Sequence, residues 1–357
     1  MPRLQRLQQA LDPGQALLVT SPINIRYLAG LMIHPAERFY ALLVTPEQAV
    51  LFVPELEQTA ARTFHGQIVP VSDAEDLAAL LAAHKPAGSL AVEKRHLTVE
   101  RLELVQAAWK LPSVSDCSAR LEGLRLIKDD DELSVIRRAC RVIDEVVPWA
   151  HEQLSEGMTE RDLVSLIDQR LAQHYSVRPA FSSAVQFGKN SALPHGSPGS
   201  YKLAAGDAVL LDIGAQVEGY PSDITRTAFW GPASAQMKRV YGVVLEAHLA
   251  ASAKLGPGVV VGEVDKAARE VIDRAGFGDK FSHRVGHGLG LEVHEAPSMH
   301  GHNTTTLQPG MVVTVEPGIY LPGEGGVRIE DDYLITDQGA ERMTTADRHL
   351  IELSTAR

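Results

Sequence analysis

The first 120 residues alternate short apolar runs with segments of helical periodicity, and this alternation restricts the possible fold more than any other feature of the sequence. Short apolar runs predict strands, whereas apolar residues spaced three and four apart predict helices. The predicted strands are QALLVTS, YALLVTP, AVLFVP, QIVPVS and SLAVE, and the predicted helices are ELEQTAARTF, AEDLAALLAAH and LTVERLELVQAAW. Strands and helices in alternation indicate an α/β domain.

The pattern changes near Leu121, where the polar segment LPSVSDCSARLEG is followed by LRLIKDDDELSVIRRACRVIDEVVPWAHEQL, a long amphipathic helix. Later helices, one of them with a capping box at Thr159 and Asp162, lie between strand-like runs. We therefore predict two domains, residues 1–120 and 121–357. The second is expected to be α+β, with helices on one side of a mostly antiparallel sheet.

Charge and composition exclude several classes of protein. The chain has 34 Lys and Arg against 45 Asp and Glu, a net charge of −11, which disfavours binding to nucleic acid or to anionic lipid. No apolar run reaches the roughly 18 residues of a membrane span, and the N-terminus lacks a signal-peptide core. Cys117 and Cys140 are too few for a disulfide framework or a zinc cluster. These features predict a cytoplasmic protein without nucleic acid or membrane partners.

Four carboxylates stand in apolar surroundings of the second domain. Asp212 ends an apolar strand, and Asp223 follows a turn rich in Gly and Pro, so a returning strand would bring the two together. Glu316 and Glu330 interrupt runs of Val and Ile, where a carboxylate tends to be buried and must then be paired or bound to metal. The alternatives are exposed turn aspartates and a salt bridge such as that of Glu330 with Arg328.

The segment HRVGHGLGLEVHE, residues 283–295, adds nitrogen ligands to this set. Its glycines would let the backbone come close to a site and adopt unusual dihedral angles, leaving His287 free to point at the carboxylates. One imidazole and four carboxylates suit two divalent ions about 3.5–4 Å apart, with manganese or cobalt at least as suitable as zinc. The alternative is histidines that are merely part of the core or of the surface.

Other catalytic motifs are absent from the sequence. The segment HEAPSMH is not a zincin motif, because its histidines are too far apart and Pro297 lies between them. The segment GHGLG does not follow the dinucleotide-binding pattern, and neither a P-loop nor a GxSxG motif occurs. Nucleotide binding and serine hydrolase chemistry are therefore disfavoured.

In their order and spacing, LDIGAQVEGYPSDITRT, HRVGHGLGLEVHE, VTVEPGIY and GGVRIEDDYLIT closely resemble the pita-bread metallopeptidases, which include methionine aminopeptidase, aminopeptidase P and prolidase. The likeness to the Xaa-Pro peptidase branch extends over the whole chain. SPINIRYLAGL resembles the start of a creatinase-type N-terminal domain, and LRLIKDDDELSVIRRA resembles the start of the catalytic domain. The resemblance implies a creatinase-like α/β domain followed by a pita-bread catalytic domain.

The resemblance also implies a role for each ligand candidate. Asp212 would bind one metal ion through both oxygens, and Asp223 and Glu330 would bridge two ions. His287 and Glu316 would complete the second ion's ligands. Between the ions, a water or hydroxide would attack the peptide carbonyl, with Glu316 also moving the proton.

Further positions match family residues that contact substrate. The resemblance implies that His195 and His294 lie near the scissile amide and donate hydrogen bonds to the carbonyl and the tetrahedral intermediate. His283 and Arg328 match substrate-contacting positions as well, Arg328 as a group that orients a histidine or the substrate carboxylate. Phe181 is expected to pack against the proline ring, its alternative being an ordinary core residue.

Two substrate classes remain open, Xaa-Pro dipeptides and longer peptides that begin with Xaa-Pro. A dipeptidase needs a cation to bind the C-terminal carboxylate of its substrate, whereas aminopeptidase P does not. His34, Glu37 and Arg38 match a prolidase loop that closes the partner subunit's active site, which favours Xaa-Pro dipeptides over longer peptides. One departure is Ser298, which stands where several prolidases have arginine. Carboxylate capture would then depend on Arg38 of the partner or on Arg284, or be weaker than in those enzymes.

The loop interpretation predicts a homodimer, because the partner must supply Arg38. Creatinase, which hydrolyses without metal, and non-catalytic binding proteins share the fold and are the remaining alternatives. Both would lack ligand residues, whereas every ligand position is filled here.

Overall fold

The computed structural model describes residues 2–355. The chain forms two compact units, divided between Arg125 and Leu126. Among the described residues, no helix is both long enough and apolar enough to cross a membrane.

The first unit is an α/β domain built on one mixed sheet. Its strands are β1 Gln15–Val19, β2 Ala41–Val44, β3 Ala49–Pro54, β4 Gln67–Val71, β5 Ser89–Val92 and β6 Ser115–Asp116, in the order β4-β3-β2-β1-β5-β6. Its helices are α1 Arg3–Gln9, α2 Pro22–Ala29, α3 Leu77–Ala83, α4 Val99–Trp109 and α5 Ser118–Arg125. The five strands predicted from apolar runs are confirmed, and Leu18, Phe52, Val92 and Trp109 belong to the core beside them.

One predicted helix of this unit is wrong. The segment ELEQTAARTF forms only two short 3₁₀ turns, Glu55–Glu57 and Ala60–Thr63. Leu56 is 77% exposed, so the segment lacks the continuous buried stripe that stabilises a surface α-helix.

The second unit is α+β, as predicted. Its helices are α6 Asp130–Gln153, α7 Glu160–His174, α8 Ala235–Ser252 and α9 Val261–Arg274. Its strands are β7 Arg178–Pro179, β8 Ala184–Phe187, β9 Ala208–Ile213, β10 Ala215–Val217, β11 Tyr220–Pro221, β12 Ile224–Trp230, β13 His287–Gly288, β14 Glu295–Ser298, β15 Val312–Val315, β16 Gly318–Leu321, β17 Gly325–Arg328, β18 Asp331–Thr336, β19 Gly339–Arg342 and β20 Glu352–Leu353. The predicted capping box of α7 is present, since Thr159 and Asp162 exchange hydrogen bonds.

The strands of this unit form several sheets rather than one. The two larger sheets have the orders β20-β12-β9-β8 and β14-β13-β15-β18-β19, and their pairs are antiparallel except β12 with β20. Helices α6 and α7 share a core with β8, β9 and β12, which includes Ile143 and Leu211. Helices α8 and α9 share another core with β15 and β17, which includes Val244 and Val313. The second core also includes Ala208 of β9 and Phe229 of β12, so the two sheets share part of their packing.

A buried histidine of α6 predicts a specific acid sensitivity of folding. His151 is 6% exposed, and burial lowers its pKa to about 4. Because its pKa in the unfolded chain is near 6.5, the unfolded state binds this proton first as pH falls. This contribution to stability is complete above about pH 6.5 and is lost towards pH 4. We expect the pH dependence of the unfolding free energy in His151→Gln to be shallower than wild type by about 1.4 kcal/mol per pH unit.

Urea titrations between pH 4.5 and 7 test this expectation, with the exposed His65→Gln as the matched control. Equal slopes for the wild type and His151→Gln would contradict it.

Candidate active site

A cavity of about 520 Å³ in the second unit collects ten of the eleven site residues predicted from the sequence. These lining residues are Phe181, His195, Asp212, Asp223, His283, His287, His294, Glu316, Arg328 and Glu330. The remaining candidate, Arg38, lies in the first unit. The separated motifs of the sequence therefore meet in one place.

Strand pairing brings the four carboxylates to this cavity. β9 and β12 are antiparallel with Asp212 opposite Thr225, so Asp212 and Asp223 lie at the same end of that pair. Glu316 directly follows β15 and Glu330 directly precedes β18, and these two strands are antiparallel neighbours. Each acid thus stands at a strand end and is held by the ladder beside it.

His287 faces this group of carboxylates. Its Nε2 atom lies 3.5 Å from Asp223 Oδ2, 3.7 Å from Glu316 Oε1 and 4.0 Å from Glu330 Oε1. Its Nδ1 atom lies 3.1 Å from the carbonyl oxygen of Gly288, an arrangement in which Nδ1 carries the proton and Nε2 keeps its lone pair. Burial, and then the nearby His294, lower the pKa of His287 to about 3, which favours the neutral ring that a metal ion requires.

The electrostatics of the cluster fit a divalent cation. Burial and the neighbouring carboxylates raise the pKa values of Asp223 and Glu330 well above their usual range, and burial raises that of Glu316 to about 7. Asp223 Oδ1 and Glu330 Oε1 are buried and have no hydrogen-bond partner among the described residues. Ligand atoms of Asp223, His287 and Glu330 all lie within 4.8 Å of one another. A cation between them would neutralise the repulsion and satisfy these oxygens.

Asp212 differs from the other acids because it has a direct basic partner. Its Oδ2 atom accepts a hydrogen bond from Arg328 Nη2 at 2.6 Å. The salt bridge that sequence analysis considered for Glu330 is thus made by Asp212. Glu330 Oε2 instead accepts from the Thr225 hydroxyl at 2.7 Å, and the same hydroxyl accepts from Arg328 Nε at 3.0 Å.

Tyr320 is a site residue that sequence reasoning missed. Arg328 Nη1 donates to its hydroxyl at 3.0 Å, and that hydroxyl lies 2.8 Å from His283 Nε2. His283 Nδ1 lies 2.8 Å from the carbonyl oxygen of Arg284, so Nδ1 donates there and Nε2 accepts from Tyr320. Both ring nitrogens of His283 therefore have protein partners. Its contact with substrate stays a prediction, and a hydrogen bond through Nε2 would have to replace the Tyr320 bond.

The rim of the cavity carries the more accessible candidates. His195 and His294 are exposed, and the His294 ring lies edge-on to that of His287 with centroids 4.3 Å apart. Burial, and then Arg284, lower the pKa of His294. Phe181 is partly exposed and lines the cavity, so it is not an ordinary core residue.

Besides Arg328, two arginines are candidates for capture of the substrate carboxylate. Arg284 lines the cavity, and its Nη1 atom donates to Ser298 Oγ at 2.9 Å. Arg38 instead pairs with Asp73 within the first unit, Nε and Nη2 donating to the carboxylate at 2.9–3.2 Å. Ser298, the departure noted in the sequence, thus holds the other arginine.

The glycines beside His287 are explained by close packing. A Cβ atom on Gly286 would lie 2.1 Å from the carbonyl oxygen of Thr314, and one on Gly288 would lie 2.1 Å from that of Ala296. Neither residue has a positive φ, so the expected unusual dihedral angles are not found. The lack of side chains lets β13 fit between β14 and β15, which fixes the position of His287.

Asp332 is another supporting residue without a clear sequence signal. It is buried, and its Oδ2 atom accepts from the backbone N–H of Asp223 at 3.0 Å. Burial raises its pKa to about 8. Sequence patterns singled out Glu330 in the same segment but not Asp332, because only the fold shows which partners each side chain faces.

Comparison with known proteins agrees with this geometry. Residues 3–127 match the Creatinase/Prolidase N-terminal domain, and residues 134–337 match metallopeptidase family M24. An uncharacterized peptidase of Staphylococcus aureus is 38% identical over 349 residues, which are 96% of this chain and 99% of the relative. The prolidase of Pyrococcus horikoshii has a TM-score of 0.90 and 34% identity, covering 98% of this chain and 99% of that one. The X-Pro aminopeptidase of Thermotoga maritima has a TM-score of 0.86 and 28% identity, covering 97% and 99%.

A buried group of carboxylates around a neutral imidazole, open to a peptide-sized cavity, has the features of a metal-dependent hydrolase. The chain belongs to metallopeptidase family M24. The predicted fold, a creatinase-type N-terminal domain followed by a pita-bread catalytic domain, is confirmed. So is the prediction of a peptidase from the Xaa-Pro branch, and family membership implies divalent metal ions.

Proposed function

We propose that this peptidase hydrolyses the bond before proline, that Xaa-Pro dipeptides are its main substrates, and that it uses two divalent metal ions. The observation that carries the proposal is the convergence of Asp223, His287 and Glu330 inside a cavity that also presents a cation, Arg284. The prolidase of Pyrococcus horikoshii supports the substrate class.

The metal ions would be held by Asp212, Asp223, His287, Glu316 and Glu330, and manganese is the preferred identity, with cobalt and zinc as alternatives. Bound there, two ions would polarise the substrate carbonyl and lower the pKa of a water molecule. The unpartnered oxygens of Asp223 and Glu330 would be available to a bound cation.

The chain's own residues would perform the remaining steps. Glu316 lines the cavity and can take a proton from the attacking water and return it to the leaving proline nitrogen. His195 and His294 at the rim can donate hydrogen bonds to the carbonyl oxygen as charge develops on it. Phe181 offers an apolar surface to the proline ring.

Arg284 is the better placed of the two candidates for carboxylate capture. Arg328, the other arginine of the lining, donates to Asp212, Tyr320 and Thr225, whereas the side-chain acceptor of Arg284 is the neutral hydroxyl of Ser298. Its charge is therefore available to an anionic ligand. Arg38 of a second copy would add a second cation if the protein is a homodimer.

The test compares Met-Pro, Met-Pro-amide and Met-Pro-Ala as substrates in the presence of Mn²⁺. Loss of a charge-assisted hydrogen bond costs about 1.5–3 kcal/mol, so kcat/KM of Arg284→Met for Met-Pro should fall roughly 10- to 150-fold. For Met-Pro-amide, which lacks the carboxylate, the variant should match the wild type. Arg38→Ala run in parallel shows whether a second copy contributes, and light scattering gives the oligomeric state.

The alternative, an aminopeptidase P, is favoured by the likeness to the X-Pro aminopeptidase of Thermotoga maritima. It predicts cleavage of Met-Pro-Ala at least as efficient as that of Met-Pro, with no effect of Arg284→Met or Arg38→Ala. A metal-free creatinase-like protein would bind no metal and would gain no stability from Mn²⁺.

A further inference from the structure

One wall of the cavity is a loop outside the sheets. Residues 193–199 connect a 3₁₀ turn, Gly188–Ala192, to the next segment, and His195, Gly196, Ser197 and Pro198 line the cavity. Leu193 and His195 are exposed, so this loop has little packing of its own. The position of His195 must therefore be set by hydrogen bonds from behind the loop.

Glu160 is a buried residue that makes three hydrogen bonds behind this loop. It is the first residue of α7, and its side chain is 0% exposed. Its Oε1 atom accepts from the Phe187 N–H at 2.8 Å and from Asn190 Nδ2 at 2.9 Å, while Oε2 accepts from the Gly199 N–H at 2.6 Å. One carboxyl group thus ties the strand before the loop, the turn and the loop's end.

The chemistry of these contacts shows why a carboxylate is needed. All three partners are N–H donors, and each oxygen must accept. Burying a carboxylate is costly unless its oxygens accept hydrogen bonds. The three bonds therefore fix the Glu160 side chain, and the same bonds fix the positions of Phe187, Asn190 and Gly199. Other side chains that bond to the loop each reach one carbonyl oxygen of it: Gln186 Nε2 that of Leu193 at 2.8 Å, Arg161 Nε that of Pro198 at 3.3 Å, and Arg328 Nη1 that of Pro194 at 3.4 Å.

We propose that Glu160 is a positioning residue that acts through His195, an inference that rests on the proposed function. It touches neither substrate nor metal ligands, and its effect on hydrolysis comes from fixing the loop. Glu160→Gln is the informative change, because the amide keeps one acceptor and turns an NH₂ group towards the donors that remain.

The experiment is a double-mutant cycle with His195→Ala, measured on Met-Pro with Mn²⁺. We expect Glu160→Gln to lower kcat/KM at least tenfold in the wild-type background and by less than twofold in the His195→Ala background. A merely structural residue would lower activity by the same factor in both, and that additive result would overturn the inference. Asp162→Ala is the matched control, since it weakens the same helix end without touching the loop.

Hydrogen exchange of residues 187–199 provides a readout that does not depend on activity. Exchange should accelerate in Glu160→Gln and not in Asp162→Ala, and unchanged exchange would overturn the inference. If Glu160→Gln does not fold, Asn190→Ala, which removes only one of the three bonds, takes its place in the cycle. Absence of Xaa-Pro hydrolysis in the wild type would instead reject the proposed function, together with the catalytic part of this inference.

Discussion

Glu330→Gln is expected to abolish metal-dependent hydrolysis while making the metal-free protein more stable. Glu330 lies beside Asp223 and Glu316. Burial, and then the neighbouring carboxylates, raise the pKa values of Glu330 and Asp223 well above their usual range, and burial raises that of Glu316. The amide cannot ionise, so it removes the cost of placing an ionisable group beside buried carboxylates, and it still accepts the Thr225 hydrogen bond. Relief of one pKa unit of repulsion corresponds to about 1.4 kcal/mol of stability. Loss of the ligand should lower kcat/KM about a thousandfold or more, equivalent to about 4 kcal/mol.

The measurement is thermal unfolding in chelator and in excess Mn²⁺, with activity assayed in parallel. In the wild type Mn²⁺ should raise the melting temperature, because a ligand that binds only the folded state stabilises it. In Glu330→Gln this increase should largely vanish. The exposed Glu324→Gln is the control for loss of one glutamate charge. A variant that responds to Mn²⁺ like the wild type would show that Glu330 is not a ligand.

Arg328→Met is expected to be among the most destabilising single changes in the second unit. Arg328 is 3% exposed and donates to Asp212, Tyr320 and Thr225. Removing one partner of a buried ion pair costs about 3–5 kcal/mol, because the remaining charge is left uncompensated. Tyr320→Phe removes only the hydroxyl between Arg328 and His283 and should cost about 1–3 kcal/mol.

Urea unfolding of both variants in chelator tests this ranking. Activity should follow the same order, since Arg328 and Tyr320 orient groups of the cavity wall. Equal stability losses for the two variants would mean that the Asp212 pair contributes little. If Arg328→Met left the free energy of unfolding unchanged, Arg328 would not stabilise the site.

Sequence patterns predicted the structure correctly where an element has a local apolar pattern, and they predicted candidate site residues where these belong to a longer motif. The strands of the first unit have continuous apolar runs, and the ligand candidates stand in segments whose order resembles a known family. The helix predicted over Glu55–Phe64 was wrong because Leu56 stays exposed, although Ala61 and Phe64 are buried. Tyr320 and Glu160 were missed because their partners are distant in sequence, such as Gly199 for Glu160, and only the fold brings them together.

For the glycines of residues 286–290, sequence patterns located the site but did not give the correct physical reason for the glycines. The reasons offered for them were close approach of the backbone to a site and unusual dihedral angles, whereas the structure shows close contact with neighbouring strands and no positive φ. Sequence alone cannot distinguish these reasons, because both require the same absence of a side chain.

This close packing also bears on how the enzyme could be altered by directed evolution. Any side chain introduced at Gly286 or Gly288 would collide with backbone atoms of an adjacent strand, so the floor of the cavity tolerates few library mutations. The loop at residues 193–199 has exposed side chains, among them Leu193 and Ser197. Selection for new peptide preferences is therefore best directed to the exposed residues of that loop. The residues that hydrogen-bond to the loop, such as Glu160 and Gln186, should be left unchanged.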